Sequence, residues 1–277
     1  MHPTLVHLGP LPLHSYGFML ALSFFLGILL ASRRAPMRGI SPDVVFDTSL
    51  VIVFASILGA RALYVVFHLE EMSSPLDMIA LWSGGLTMYG GVLAAMAAAF
   101  YYLRRRGVRF LAMADVMAPS LALGLGLTRI GCFLNGCCYG QPTTSPWGVH
   151  FPPDSYVSRM FGDQALHPAQ LYSSATGLAI MAILLLADRK RGPEGRLFGI
   201  YLLLDSAGRF ILDFYRSYEA NAYIVRGLTV NQIICIGLAI LGVAALLHAA
   251  KQPRTAPARD MLIGRDEATA AAPVEPQ

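Results

Sequence analysis

Seven apolar stretches long enough to cross a lipid bilayer dictate what this chain can become. They lie near residues 15–32, 44–68, 85–103, 110–130, 170–187, 197–217 and 229–250. About 20 apolar residues in helical form span the hydrocarbon core, and a helix satisfies its own backbone polar groups there. Only 14% of the 277 residues are charged, against about 25% in an ordinary soluble domain. The expected class is all-α: a polytopic integral membrane protein with seven transmembrane helices. Residues 1–251 make the membrane domain. Residues 252–277 are rich in alanine, proline and charge, lack an apolar face, and read as a disordered cytoplasmic tail.

Basic residues cluster between the runs. Arg33, Arg34 and Arg38 follow the first, and Arg104, Arg105, Arg106 and Arg109 the third. Arg189, Lys190, Arg191 and Arg196 follow the fifth, and Lys251, Arg254, Arg259 and Arg265 the seventh. These connections alternate, so the positive-inside rule makes them cytoplasmic and sets an N-out, C-in orientation. The net charge of +4 therefore speaks of topology and gives no footing for nucleic acid. Met1 to Pro12 has no basic segment before the apolar run, so a cleaved secretory signal is not expected. The outer connection 141–169 is proline-rich and long for an idle loop. It is expected to fold as a small periplasmic head between helices 4 and 5, with Trp147, Phe151 and Tyr156 at headgroup level.

Three arginines interrupt the spans themselves. Counted from the cytoplasmic ends, Arg61, Arg129 and Arg209 lie roughly 17, 19 and 12 residues in, at about 1.5 Å per residue. All three sit at or beyond mid-membrane, toward the outer leaflet. A guanidinium at that depth costs roughly 2.5–3.5 kcal/mol on insertion scales, so three at similar depth imply a shared polar cavity. Asp205, Arg209 and Asp213 are four apart and share one helix face. That stripe reads either as a self-neutralising ladder or as two acids aiming an arginine at a phosphate.

Around Arg129 the chain runs GLGLTRIGCFLNGCCYGQ from Gly124 to Gln141. Gly131, Gly136 and Gly140 are expected to take positive φ and let backbone approach a ligand. The stretch reads as an anion-binding elbow at a membrane boundary, against the alternative of an arginine snorkelling beside a helix end. WSGGLTMYGG opens the third helix with glycine pairs on both sides of Tyr89. They permit close helix approach and leave the phenol facing a space, a part that Tyr16 of the first helix can also play. His167, before Pro168, is either a proton acceptor or a hydrogen-bonded cap. Cys132, Cys137 and Cys138 lack paired CxxC spacing, so no metal is expected. On an oxidising outer side a disulfide from Cys132 to Cys137 or Cys138 stays open.

WSGGLTMYGG, LTRIGCFLNGCCYG, LHPAQLYSS, GRFILDFYR and RGLTVNQ occur in this order over residues 10–250. The ordered set resembles the bacterial prolipoprotein diacylglyceryl transferase family. The resemblance implies an inner-membrane enzyme; a monomer is expected, the chemistry needs no cofactor or metal, and the arginine depths set its site toward the outer leaflet. Such an enzyme moves the diacylglyceryl group of phosphatidylglycerol onto the lipobox cysteine of a preprolipoprotein and releases glycerol phosphate. By the same resemblance Arg129 matches the lipid-binding arginine, Arg209 the second essential arginine, and Tyr16 the first-helix tyrosine. Asn135 and Gly140 match the elbow's asparagine and last glycine. Tyr89 stands where the family usually has histidine, Cys132 where it has asparagine, Cys137 where it has glutamate, and Asp205 where it has tyrosine. The full set of expected site residues is Arg129, Arg209, Tyr89 and His167 for catalysis, with Tyr16, Gly131, Asn135, Gly140, Asp213 and Arg61 beside Arg129 for substrate binding. Three other readings remain: an anion or lipid transporter or channel with an arginine selectivity site, a paralogous transferase using another thiol, and a non-catalytic lipid-binding scaffold.

Overall fold

The computed structural model describes residues 3–8, 11–72, 74–80, 84–153, 155–190, 192–217, 223–225 and 227–252. Trp82 and Ser83 of the third-helix motif, and the tail beyond residue 252, lie outside them. Long helices occupy all seven apolar stretches: α1 (Ser15–Arg34), α2 (Pro42–Phe67), α4 (Met88–Arg105), α5 (Phe110–Asn135), α7 (Ala169–Asp188), α8 (Arg196–Asp213) and α9 (Val230–Ala250). Two short ones, α3 (Pro75–Ile79) and α6 (Tyr156–Phe161), sit in connections. Their ends follow local chemistry. Ser41 Oγ accepts from the Asp43 amide and Pro42 starts α2, a favoured first residue because its missing N–H would be unpaired anyway. Thr229 and Gln232 form a reciprocal capping box at the start of α9.

Among the described residues, five helices are long and apolar enough to cross a membrane: those beginning at Ser15, Pro42, Phe110, Ala169 and Val230. The other two are diluted for identifiable reasons. α8 carries Arg196, Asp205, Arg209 and Asp213, and α4 mixes alanine, glycine and tyrosine before ending on Arg104 and Arg105. Large apolar side chains such as Phe25, Phe54, Leu93 and Ile240 are exposed along the helices. Such a surface suits lipid and would be a liability in water. Strands were not expected, yet two small antiparallel pairs are present. Thr4–Leu8 (β1) pairs with Leu11–His14 (β2), and Tyr223–Val225 (β3) with Leu228–Thr229 (β4). Neither has the 3.6-residue apolar period or the length that makes a span legible.

The chain divides into two compact units. One is Ser32–Met113; the other joins Met1–Ala31 to everything from Ala114 onward. In the first, α2 and α4 cross where glycine faces glycine. A Cβ on Gly59 would lie 2.6 Å from the Gly90 carbonyl oxygen, and one on Gly90 would lie 2.3 Å from that of Gly59. The glycine pair beside Tyr89 thus serves close helix packing. Arg61, buried on α2, donates to the carbonyls of Asp77, Met78, Gly84 and Gly85, and its guanidinium lies 5.4 Å from the Tyr64 ring centroid. Arg61 is expected to bind substrate; in this structure its donors fasten the segment leading into α4.

In the second unit α5, α7 and α8 pack around Ala118, Ala122, Ile180, Leu184 and Leu197, and α9 meets α8 where a Cβ on Gly199 would lie 3.0 Å from the Gly242 carbonyl oxygen. α5 and α7 meet at Gly126 and Gly177, where a Cβ on Gly177 would lie 2.9 Å from the Ala122 carbonyl oxygen. Asp115, fully buried on α5, accepts from the amides of Gly195 and Phe198 at 3.0 and 2.8 Å. It therefore caps the first turn of α8 from a neighbouring helix, where negative charge is favoured. The 141–169 connection folds on its own small core of Phe151, Val157 and Leu166, with Tyr139 and Phe161 against it. Phe151 is thus a core residue and not a headgroup aromatic. Trp147 is exposed, and the Tyr156 side chain lies outside the described set.

Replacing Gly90 with alanine should cost about 1–3 kcal/mol by overpacking, read as a lowered midpoint in detergent thermal denaturation. Arg61→Ala should cost at least about 1–3 kcal/mol, the penalty of a buried carbonyl left unpaired. Arg61→Lys should recover only part of it, because an ammonium lacks the planar fork.

Candidate active site

α5 does not stop near residue 130. It runs on to Asn135, so Arg129, Gly131, Cys132 and Asn135 are all helical. Of the three glycines expected at positive φ, only Gly136 has it, at +75°. The other two are required for space. A Cβ on Gly131 would lie 2.9 Å from the Met19 Cβ and 3.4 Å from the Tyr16 Cα, so Gly131 lets α1 close on α5. A Cβ on Gly140 would fall 2.6 Å from the Tyr215 carbonyl oxygen and 2.7 Å from that of His167. Both glycines serve the approach of chain to chain. The residue that does take a left-handed conformation unexpectedly is Cys138, at φ +61°.

Arg129 on α5 and Arg209 on α8 line one cleft, together with Leu125, Ser173, Thr176, Asp205 and Leu212. Its cavity volume is about 20 Å³. Arg209 donates from Nε to Asp205 Oδ2 at 2.7 Å, the expected four-residue step along one face. Asp205 is buried, so this carboxylate fixes one edge of the guanidinium and leaves the terminal nitrogens to point elsewhere. Arg129 makes no hydrogen bond or ion pair with any described residue. Two guanidinium groups held on separate helices beside one cleft suit an anion with several oxygens. Asp213 accepts a hydrogen bond from the Thr229 hydroxyl, tying the end of α8 to the start of α9.

The elbow is pinned from α7. Gln170, buried, donates to the Cys137 carbonyl at 2.7 Å, and the Gly140 amide to the His167 carbonyl at 3.0 Å. The Gln141 amide donates to the Tyr215 carbonyl at 2.9 Å. His167 shares a 3.1 Å hydrogen bond between Nδ1 and Tyr172 Oη, and Tyr215 packs edge-on against its ring. Tyr16, at the start of α1, lies within electrostatic range of Arg129 and of Cys132, Cys137 and Cys138. Those three sulfurs all lie within 4.8 Å of one another. Hydrogen bonds from Cys132 and Cys137, then the charges of Arg129 and Arg216, hold the Cys138 thiol well below the usual thiol range. Tyr89 occupies the first turn of α4, half exposed, in the other compact unit.

Sequence reasoning passed over Gln170, Ser173, Thr176 and Asp115. A buried glutamine beginning a helix is a detectable oddity. The two hydroxyl residues gave no signal, because helical serine and threonine ordinarily satisfy themselves on the preceding turn. Ser173 and Thr176 do so here, bonding the carbonyls of Ala169 and Tyr172.

Apolar helices of spanning length and an arginine-lined cleft among them define a multi-pass membrane protein. A family model described as prolipoprotein diacylglyceryl transferase matches residues 3–248. The chain is 34% identical over 261 residues to the phosphatidylglycerol–prolipoprotein diacylglyceryl transferase of Photobacterium profundum, covering 92% of this chain and 96% of that one. It is 32% identical over 243 residues to the protein of the same name from Clostridium tetani, covering 88% and 96%. The chain belongs to the prolipoprotein diacylglyceryl transferase family. Relatives named as transferases do not favour a transporter or channel.

Gly140→Ala should displace the elbow from both His167 and Tyr215. The expected result is a destabilisation of about 1–3 kcal/mol with faster proteolytic nicking of the 141–169 segment, whereas Gly136→Asn, which tolerates positive φ, should leave nicking unchanged.

Proposed function

We propose that this chain transfers the diacylglyceryl group of phosphatidylglycerol to the lipobox cysteine thiol of preprolipoproteins, releasing glycerol phosphate. The observation that carries this is the pair Arg129 and Arg209, from separate helices, lining one cleft. The thiol sulfur attacks the glyceryl carbon bearing the phosphodiester. A carbon–sulfur bond forms, the carbon–oxygen bond breaks, and its electron pair leaves on the phosphate. Arg129 and Arg209 grip that phosphate and stabilise the charge it gains. A preorganised donor aimed at developing charge in a dry site is commonly worth about 2.7–4 kcal/mol.

Asp205 holds Arg209 in position, and Gln170 and Gly140 hold the elbow that follows Arg129. Tyr16 and Asn135 flank the headgroup, while Gly131 and Asp213 serve by fixing the helices that present it. Tyr89, at the position where the family resemblance places histidine, takes the thiol proton; His167 is the second candidate. In this reading the chain crosses the bacterial inner membrane seven times, with the amino terminus outside, the basic connections inside and the cleft toward the outer leaflet. The distribution of arginine and lysine supports that orientation. The 141–169 segment is then the periplasmic head and the protein works as a monomer.

Arg129→Ala and Arg209→Ala should each lower transfer of radiolabelled glycerol-lipid to a lipobox peptide by about 10²–10³-fold, with unchanged protein in the membrane. A fully active Arg129→Ala would remove phosphate gripping from the mechanism. Tyr89→Phe should slow turnover more than His167→Ala; the opposite order assigns the proton to His167.

A further inference from the structure

Cys132, Cys137 and Cys138 are the one group of three metal-capable side chains that converge among the described residues. Their sulfurs are brought together by three separate devices. Extension of α5 to Asn135 puts Cys132, nearly buried, on its last turn. Gly136 at φ +75° then reverses the chain, and the Cys137 amide bonds back to the Cys132 carbonyl at 3.1 Å. Finally Cys138 is held at φ +61°, a left-handed conformation that a non-glycine residue rarely adopts. Gln170 clamps the turn through the Cys137 carbonyl. Strain of that kind persists only where the surroundings impose it.

The trio suits one soft cation. A tetrahedral site with zinc–sulfur bonds of about 2.3 Å puts its sulfurs roughly 3.8 Å apart, inside the 4.8 Å limit observed. A disulfide needs about 2.05 Å and leaves one of three sulfurs over. Three thiolates around a divalent ion carry one net negative charge. Three protein ligands is also the number found where zinc keeps a fourth position for an incoming group.

We propose that Cys132, Cys137 and Cys138 bind a thiophilic divalent cation, zinc in the first instance, whose fourth position takes the acceptor thiol. This rests on the transferase function proposed above. Coordination acidifies the acceptor thiol and holds the sulfur as thiolate, and Tyr89, or His167 in its place, takes the proton it gives up. That sulfur's lone pair then forms the bond to the glyceryl carbon as the carbon–oxygen pair departs on the phosphate. Tyr89 and His167 are thereby relieved of the need to act as strong bases.

Full-length protein, reduced, stripped with chelator and kept in detergent, is titrated with Co²⁺ alone. The expected result is one equivalent bound with thiolate-to-cobalt charge-transfer absorption, displaced by Zn²⁺. Cys138→Ser should weaken binding at least tenfold. Cys132→Ser should do the same, and since Cys132 is nearly buried, Cys138→Ser carries the test if that variant misfolds. Absence of the thiolate band in folded, reduced protein overturns the site, as does a Cys132 disulfide to Cys137 or Cys138 in protein alkylated directly in membranes. Stripping should lower glycerol-lipid transfer at least tenfold and Zn²⁺ restore it. Full transfer by stripped protein would sink thiol activation and leave the proposed function standing. Cobalt binding without any transfer, loaded or stripped, would sink the proposed function and with it the fourth-position role, leaving only the ion site.

Discussion

The contact between Asp205 and Arg209 carries more of the architecture than its 2.7 Å suggests. An isolated guanidinium among apolar helices pays a desolvation penalty of several kcal/mol, and a carboxylate one turn away offsets it. The pairing is not a stability device in the ordinary sense. Asp205 Oδ1 is buried with no hydrogen-bond partner among the described residues, and a group left so costs about 1–3 kcal/mol. Apolar residues of similar volume would pack there more cheaply. What the pair provides is position: one edge of Arg209 is fixed, and the other faces the cleft shared with Arg129.

That cleft depends in turn on how closely helices approach. Arg129 rides on α5, Ser173 and Thr176 on α7, and Arg209 on α8. α5 and α7 touch at Gly126 and Gly177, and a Cβ on Gly208 of α8 would meet Thr176 Cγ2 at 2.7 Å. α1 closes on α5 at Gly131. In lipid, where tails are as apolar as side chains, such small-residue crossings supply the packing that drives helix association. The distance across which two guanidinium groups must reach is therefore set by residues without side chains.

The helices were legible because length and apolarity decide them, and each of the seven stretches is helical to within a few residues. Arginine placement was legible for the same reason, since a charge stands out against an apolar run. Partners were not. Arg61 has the same depth argument as Arg129 and Arg209, yet backbone carbonyls take its donors, and carbonyls have no sequence signature. Gly131 and Gly140 were read as permissive backbone when they are spaces cleared for a neighbour. Glycine serves both needs, and only a structure says which. The cysteines were legible as neighbours, with a disulfide from Cys132 left open, but not as three converging sulfurs, because a helix end and a turn join Cys132 to Cys137, a geometry that linear spacing rules do not describe. The short β pairs lack any period to detect.

Three lengths of chain meet just beyond α5. Gly140 pairs with Arg216, the Gln141 amide reaches the Tyr215 carbonyl, and the His167 amide returns to Gln141. The 141–169 segment thus leaves and re-enters through a single knot of backbone bonds, with its own apolar centre in between. Mechanically it is a cassette: its interior can lengthen, shorten or change composition while the seam beneath stays sutured. Whatever peptide selectivity resides in that cassette can drift independently of the machinery that handles the lipid.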